Sequence, residues 1–151
     1  GSYVRDKDGV DGAYMICEMF SYYATQGISL LDRLDELYKT YGYCLNTLHS
    51  YEFDGSAGFA RMQSIMQAFR GGIKEFGGKK VVRLLDYVQG LDGLPKSDVL
   101  KFLLENNCSL VVRPSGTEPK LKIYISVSAE NKEMAEEVED EIAKTAEKWI
   151  C

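Results

Sequence analysis

The chain has 151 residues, 45% hydrophobic and 27% charged, with a formal net charge of −5, which fits one packed domain or one domain with part of another. The acidic balance argues against nucleic acid and anionic membrane as partners, since both need a basic field, and no apolar run approaches the roughly 18 residues of a spanning helix. Cys17, Cys44, Cys108 and Cys151 are widely spaced with no CxxC, so zinc is not expected, and with no signal peptide read at the start, reduced thiols in the cytoplasm are.

Apolar residues recur at helical spacing from Val10 through Tyr14, Cys17 and Phe20 to Ala24, predicting a helix capped by Asp8 or Asp11. After Gly27, Ser29 is placed to cap a second helix whose face is Leu30, Leu31, Leu34, Leu37, Tyr38 and Tyr41, and Gly42 ends it. Two apolar helix faces with no strand to cover read as the tail of something larger. From Tyr43 to Phe53 the pattern changes to a strand. Asp54 to Gly58 is a turn with Asp54 or Ser56 as a cap, and Phe59, Met62, Ile65, Met66 and Phe69 predict a buried helical stripe closed by Gly71-Gly72. Residues 73–78 read as irregular. Strands are predicted at Lys79–Tyr87, where Val81, Val82, Leu84 and Leu85 supply the apolar side chains, and at Val99–Leu104 and Cys108–Val112, the last two joined by Glu105-Asn-Asn107. Leu121, Ile123, Ile125 and Val127 alternate with polar residues and give the clearest strand. Met134, Val138, Ile142, Thr145 and Trp149 predict the buried face of a long final helix.

The expected architecture is a helical tail over residues 1–42, then an α+β domain over 43–151 with a largely antiparallel sheet and helices packed on one face. Between its last strands lies Arg113-Pro-Ser-Gly-Thr-Glu-Pro-Lys120. Arg113 offers a planar fork of donors that stays charged at any physiological pH. Ser115 and Thr117 add neutral hydroxyl donors, Gly116 frees the backbone to turn its N–H groups inward, and Pro114 and Pro119 stiffen the ends. That inventory suits a phosphate. Pro, Ser, Gly and Thr equally build an ordinary hairpin connection, so composition leaves both readings open.

The loop with its following Lys-Ile-Tyr strand resembles the C-terminal signature of the α-D-phosphohexomutases, the phosphoglucomutases and phosphomannomutases. Val4-Arg-Asp-Lys-Asp-Gly-Val10 with Ile16-Cys-Glu-Met19 resembles the close of their third domain, and Leu34-Asp-Glu-Leu-Tyr38 with Tyr41-Gly-Tyr43 the link into the fourth. The resemblance implies a C-terminal fourth domain of TATA-box-binding-protein-like fold. In such enzymes it grips the phosphate that is not reacting while hexose 1-phosphate and hexose 6-phosphate interconvert. It implies Arg113, Ser115, Gly116 and Thr117 as the phosphate contacts. The phosphoserine, the Mg²⁺ site and the sugar-recognition loop belong to the three preceding domains, so neither a catalytic residue nor a metal ligand is expected here. Mg²⁺ and a hexose 1,6-bisphosphate intermediate are implied for the whole enzyme, with hexose phosphate and the three preceding domains as partners. The opening segment leans to bacterial phosphoglucomutases; a phosphoglucosamine mutase fragment and a stand-alone binding module are the alternatives. His49 is read as structural, Asp6, Asp8 and Asp11 as capping rather than metal-binding, and Glu118 as shaping the loop or ordering Lys120 or Arg113.

Overall fold

The computed structural model describes residues 7–150; Asp6, the start of the Val4–Val10 stretch and Cys151 lie outside the described residues. The chain divides between Tyr41 and Gly42 into two units. In the first, helix α1 (Gly9–Ala24) is capped by Asp8, whose Oδ1 accepts from the amides of Val10 at 2.9 Å and Asp11 at 3.0 Å. Helix α2 (Leu30–Tyr41) starts at a reciprocal cap: the Asp32 amide donates to Ser29 Oγ and the Ser29 amide to Asp32 Oδ2, each at 3.0 Å, satisfying two otherwise orphaned donors. Neither helix buries a residue, so the apolar faces read from the sequence are exposed, Val10 at 82%.

The second unit holds β1 (Tyr43–Glu52), α3 (Gly55–Arg70), β2 (Glu75–Phe76), β3 (Lys79–Asp86), β4 (Leu100–Leu104), β5 (Cys108–Pro114), β6 (Lys120–Ala129) and α4 (Lys132–Glu147). The six strands form one antiparallel sheet in the order β1-β6-β5-β4-β3-β2. Strict alternation decides its faces. Leu121, Ile123, Ile125 and Val127 of β6 are buried with Leu110 and Val112 of β5 and Phe102 of β4, and together with Met62, Met66 and Phe69 of α3 and Ile142 of α4 they form the core. At roughly 25 cal/mol per Å² of apolar surface removed from water, this burial is the main drive to fold.

Four details depart from the sequence reading. Strand β2 lies inside the stretch read as irregular. It brings Phe76 onto Phe102, with ring centroids 5.1 Å apart, and onto Phe69 at 6.3 Å. The register of β3 shifts at a bulge between Val81 and Arg83, and Val82, read as one of its apolar side chains, is exposed. On α4 the buried residues are Ala135, Ile142, Ala143 and Ala146, while Met134 and Trp149 are 44% and 42% exposed; the helix lies against the sheet through its small side chains. Phe59, placed in the core stripe, is 44% exposed.

Candidate functional site

Strand β5 runs through Pro114 and β6 begins at Lys120, so the connecting loop is only Ser115–Pro119. The Ser115 amide donates to the Lys120 carbonyl at 2.7 Å, and the Lys120 amide to the Glu118 carbonyl at 2.7 Å. The Phe53 amide, just past β1, donates to the Pro119 carbonyl at 2.9 Å and ties the loop to the sheet edge. Gly116 is not in the left-handed region, and a Cβ built on it meets nothing within 4 Å. The turn therefore does not require glycine there; what glycine leaves is open space above the loop.

A cavity of about 390 Å³ opens beside the loop. Its walls are Arg113, Pro114, Ser115 and Gly116 on one side, Phe59, Met62 and Gln63 of α3 on another, and Ser97, Asp98 and Val99 where the chain enters β4. Three of the four residues expected from the sequence are thus brought to one cavity. Thr117 is exposed at the loop tip, its amide 3.5 Å from Ser115 Oγ, and is not among the lining residues. The α3 and β4 contributors escape sequence reasoning because they come from distant segments; the signal present in the chain is Phe59, a large aromatic at the polar start of a helix.

The charges are sorted. Lys120 Nζ lies 3.1 Å from Glu52 and 3.5 Å from Glu118, and the hydrogen bond to Glu52 is the largest cause holding its amine above the ordinary lysine value. Glu118 therefore orders Lys120 rather than Arg113. Arg113 and Lys122 are register partners on β5 and β6, so their side chains leave the same face, and neither forms an ion pair among the described residues. Like charges directly opposite each other in a ladder repel, a repulsion that an anion between them would relieve; Arg113 lines the cavity and Lys122 does not. Arg70, at the end of α3, donates from Nε to Asp86 Oδ2 at 2.8 Å and from Nη2 to Asp98 Oδ1 at 2.6 Å.

The Ser115 hydroxyl touches no general base among the described residues. His49 Nε2 lies 2.6 Å from Glu139 Oε1, which also accepts from the Thr47 hydroxyl at 2.5 Å; the group pins α4 to β1. No three His, Cys, Asp or Glu side chains among the described residues are grouped to hold a metal ion. No helix of the described residues is long and apolar enough to cross a membrane.

The family profile for the phosphoglucomutase/phosphomannomutase C-terminal domain matches residues 53–145, a span that includes α3, the whole Arg113–Lys120 loop and most of α4. The chain belongs to this family. Its sequence is similar to a phosphoglucomutase of Staphylococcus aureus, 37% identical over 141 residues, and to one of Staphylococcus saprophyticus, 31% identical over 139. These alignments cover 85% and 84% of this chain and 25% of each relative. The chain thus spans about a quarter of the length of these phosphoglucomutases. Its fold is similar to the open-form crystal structure of pp63/parafusin, a Paramecium phosphoglucomutase, with a TM-score of 0.62 at 17% identity, covering 99% of this chain and 27% of that one. In this chain the family's C-terminal domain is built on a six-stranded antiparallel sheet with α3 and α4 on one face.

Proposed function

We propose that this chain is the C-terminal part of a cytoplasmic phosphohexomutase that interconverts hexose 1-phosphate and hexose 6-phosphate, and that it grips the phosphate not undergoing transfer. Residues 43–151 form its fourth domain, and residues 1–42 close the third and link the two. The observation that carries the reading is Arg113: an unpaired guanidinium in register with a second unpaired cation, beside a loop of hydroxyl and amide donors. A planar fork binds two phosphate oxygens at once, which a lysine cannot. The sugar reverses between two phosphoryl transfers, so each phosphate docks in turn in the nonreactive site, and a grip that reads only the dianion serves both orientations. Holding the remote phosphate positions the reacting one.

Arg113, Ser115, Gly116 and Thr117 bind and orient; no bond is made or broken at them. The phosphoserine, the metal site with Mg²⁺ and the loop that reads the sugar belong to the three quarters of the relatives' length not spanned here, and one phosphate of the hexose 1,6-bisphosphate intermediate would rest in this grip. The preferred hexose is glucose, by likeness to the phosphoglucomutases.

Titration with inorganic phosphate or glucose 1-phosphate, followed by amide NMR, is expected to shift the signals of residues 113–117, with no turnover of glucose 1-phosphate in a coupled assay. Arg113→Lys is expected to weaken binding about tenfold or more, the loss of one charged hydrogen bond of roughly 1.5–3 kcal/mol. Unmoved loop amides at tens of millimolar ligand, or an Arg113→Lys variant that binds as well as the parent, would falsify the assignment.

A further inference from the structure

The cavity beside the Arg113 loop has an acidic residue in its wall, and a carboxylate nearby opposes a phosphate. Asp98 lines the same cavity as Arg113, Ser115 and Gly116. On electrostatic grounds an acid there weakens anion binding unless its charge is compensated. Compensation comes from one residue. Arg70 donates from Nη2 to Asp98 Oδ1 at 2.6 Å, and its side chain is 17% exposed, so the pair is partly shielded from solvent. Arg70 does not line the cavity itself.

The compensation is also shared. The same guanidinium donates from Nε to Asp86 Oδ2 at 2.8 Å, and Asp86 Oδ1 accepts from the Val88 amide at 3.0 Å. One cation therefore serves two carboxylates. Asp86 is not a wall of the cavity, yet it competes with Asp98 for the arginine.

We propose that Arg70 is a positioning residue of the phosphate site: it masks Asp98 in the cavity wall, and Asp86 sets how completely it does so. This rests on the phosphate reading of the Arg113 loop and adds a control of that site's field from outside it. The signs are fixed by charge. Removing Arg70 leaves two uncompensated carboxylates in the group; removing either acid leaves one arginine facing one acid, and the group is neutral.

The test is calorimetric or NMR titration of inorganic phosphate into the 151-residue chain and its variants at low ionic strength. Arg70→Gln is expected to bind phosphate about tenfold more weakly than the parent, a loss that shrinks as salt is raised. Asp98→Asn and Asp86→Asn are each expected to bind about two- to fivefold more tightly, the order of one screened charge beside a dianion. The Arg70→Gln/Asp98→Asn double variant is expected to regain at least the parent's affinity. A purely structural role for Arg70 leaves the double variant as weak as Arg70→Gln, and that result overturns the proposal. So does an Arg70→Gln chain that binds like the parent. If Arg70→Gln does not fold, the two asparagine variants decide alone: affinity unchanged or reduced in both overturns it. Parent chain that binds no phosphate overturns the phosphate reading and this inference together, whereas parent binding with unresponsive variants overturns only the inference.

Discussion

Arg113 and Arg70 carry the same charge to opposite ends. Arg113 is left without a carboxylate and stands opposite Lys122, while Arg70 is committed to Asp86 and Asp98. The Arg70 hydrogen bond holds the Asp86 carboxyl below its ordinary value of 3.8, against the opposing pull of burial. A depressed folded-state pKa means that Asp86 stabilises the fold above the unfolded value and that this contribution is lost as pH falls through the folded one. Asp86→Asn is therefore expected to cost about 1–2 kcal/mol at pH 7, a charged hydrogen bond discounted for partial solvent access. In urea melts the gap between variant and parent should close as pH drops below about 4; a gap that persists unchanged to pH 3 would assign the loss to packing instead. At this scale the sequence was readable where chemistry is local. Arg113, Ser115 and Gly116 fall within four residues of one another and line one cavity, whereas Asp98 and Phe59 join them only through the sheet and α3.

The elements show where patterning by size misleads. Alternation makes β6 plain and helical spacing locates α4; of the face it predicts, Ile142 is buried and Val138 packs on the core, but Met134 and Trp149 are exposed and Ala135, Ala143 and Ala146 are buried instead. Alanines are weak hydrophobic signals, yet they allow a helix to lie close to a sheet. That closeness has a second cause in the two-residue strand β2, too short to show a period. The turn after it puts Gly77 at φ +54, where a Cβ falls 2.7 Å from the Glu141 carbonyl carbon and the Ile142 nitrogen, both backbone atoms of α4. Its amide donates to Thr145 Oγ1 at 3.1 Å. Gly77→Ala is expected to lose about 2–4 kcal/mol, combining roughly 1 for a left-handed alanine with roughly 1–3 for overpacking against rigid backbone. Denaturant unfolding reads this as a lower midpoint at an unchanged slope; a midpoint within error of the parent would mean that α4 is not seated on this turn. The cap at the other end of the helix is separable: Asn131 Oδ1 accepts from the Met134 amide at 2.9 Å, and Asn131→Ala is expected to cost about 0.5–2 kcal/mol.

For the whole molecule, every buried apolar residue among those described lies between Met62 and Ile150, and α1 and α2 bury none. The burial that drives folding is therefore complete within the second unit, while the first presents Val10, Tyr14, Ile16 and Phe20 from α1 and Leu31 and Tyr41 from α2 to solvent. Exposed apolar surface on that scale is characteristic of a face made to be covered. The two-unit division was legible in the sequence because the period changes from helical to alternating at Gly42, where φ is +87. Cutting the chain there gives a test of how stability is distributed. A chain of residues 43–151 is expected to unfold in one cooperative step with a midpoint within about 3 °C of the second unit's transition in the full chain, since a shift of that size corresponds to less than roughly 1 kcal/mol. The full chain should bind a hydrophobic dye such as ANS in its native state, and the shortened one should not. A shortened chain that melts broadly or loses several kcal/mol would show that α1 or α2 contributes to the core, and equal dye binding by both chains would place the exposed apolar surface on the sheet rather than on the helices.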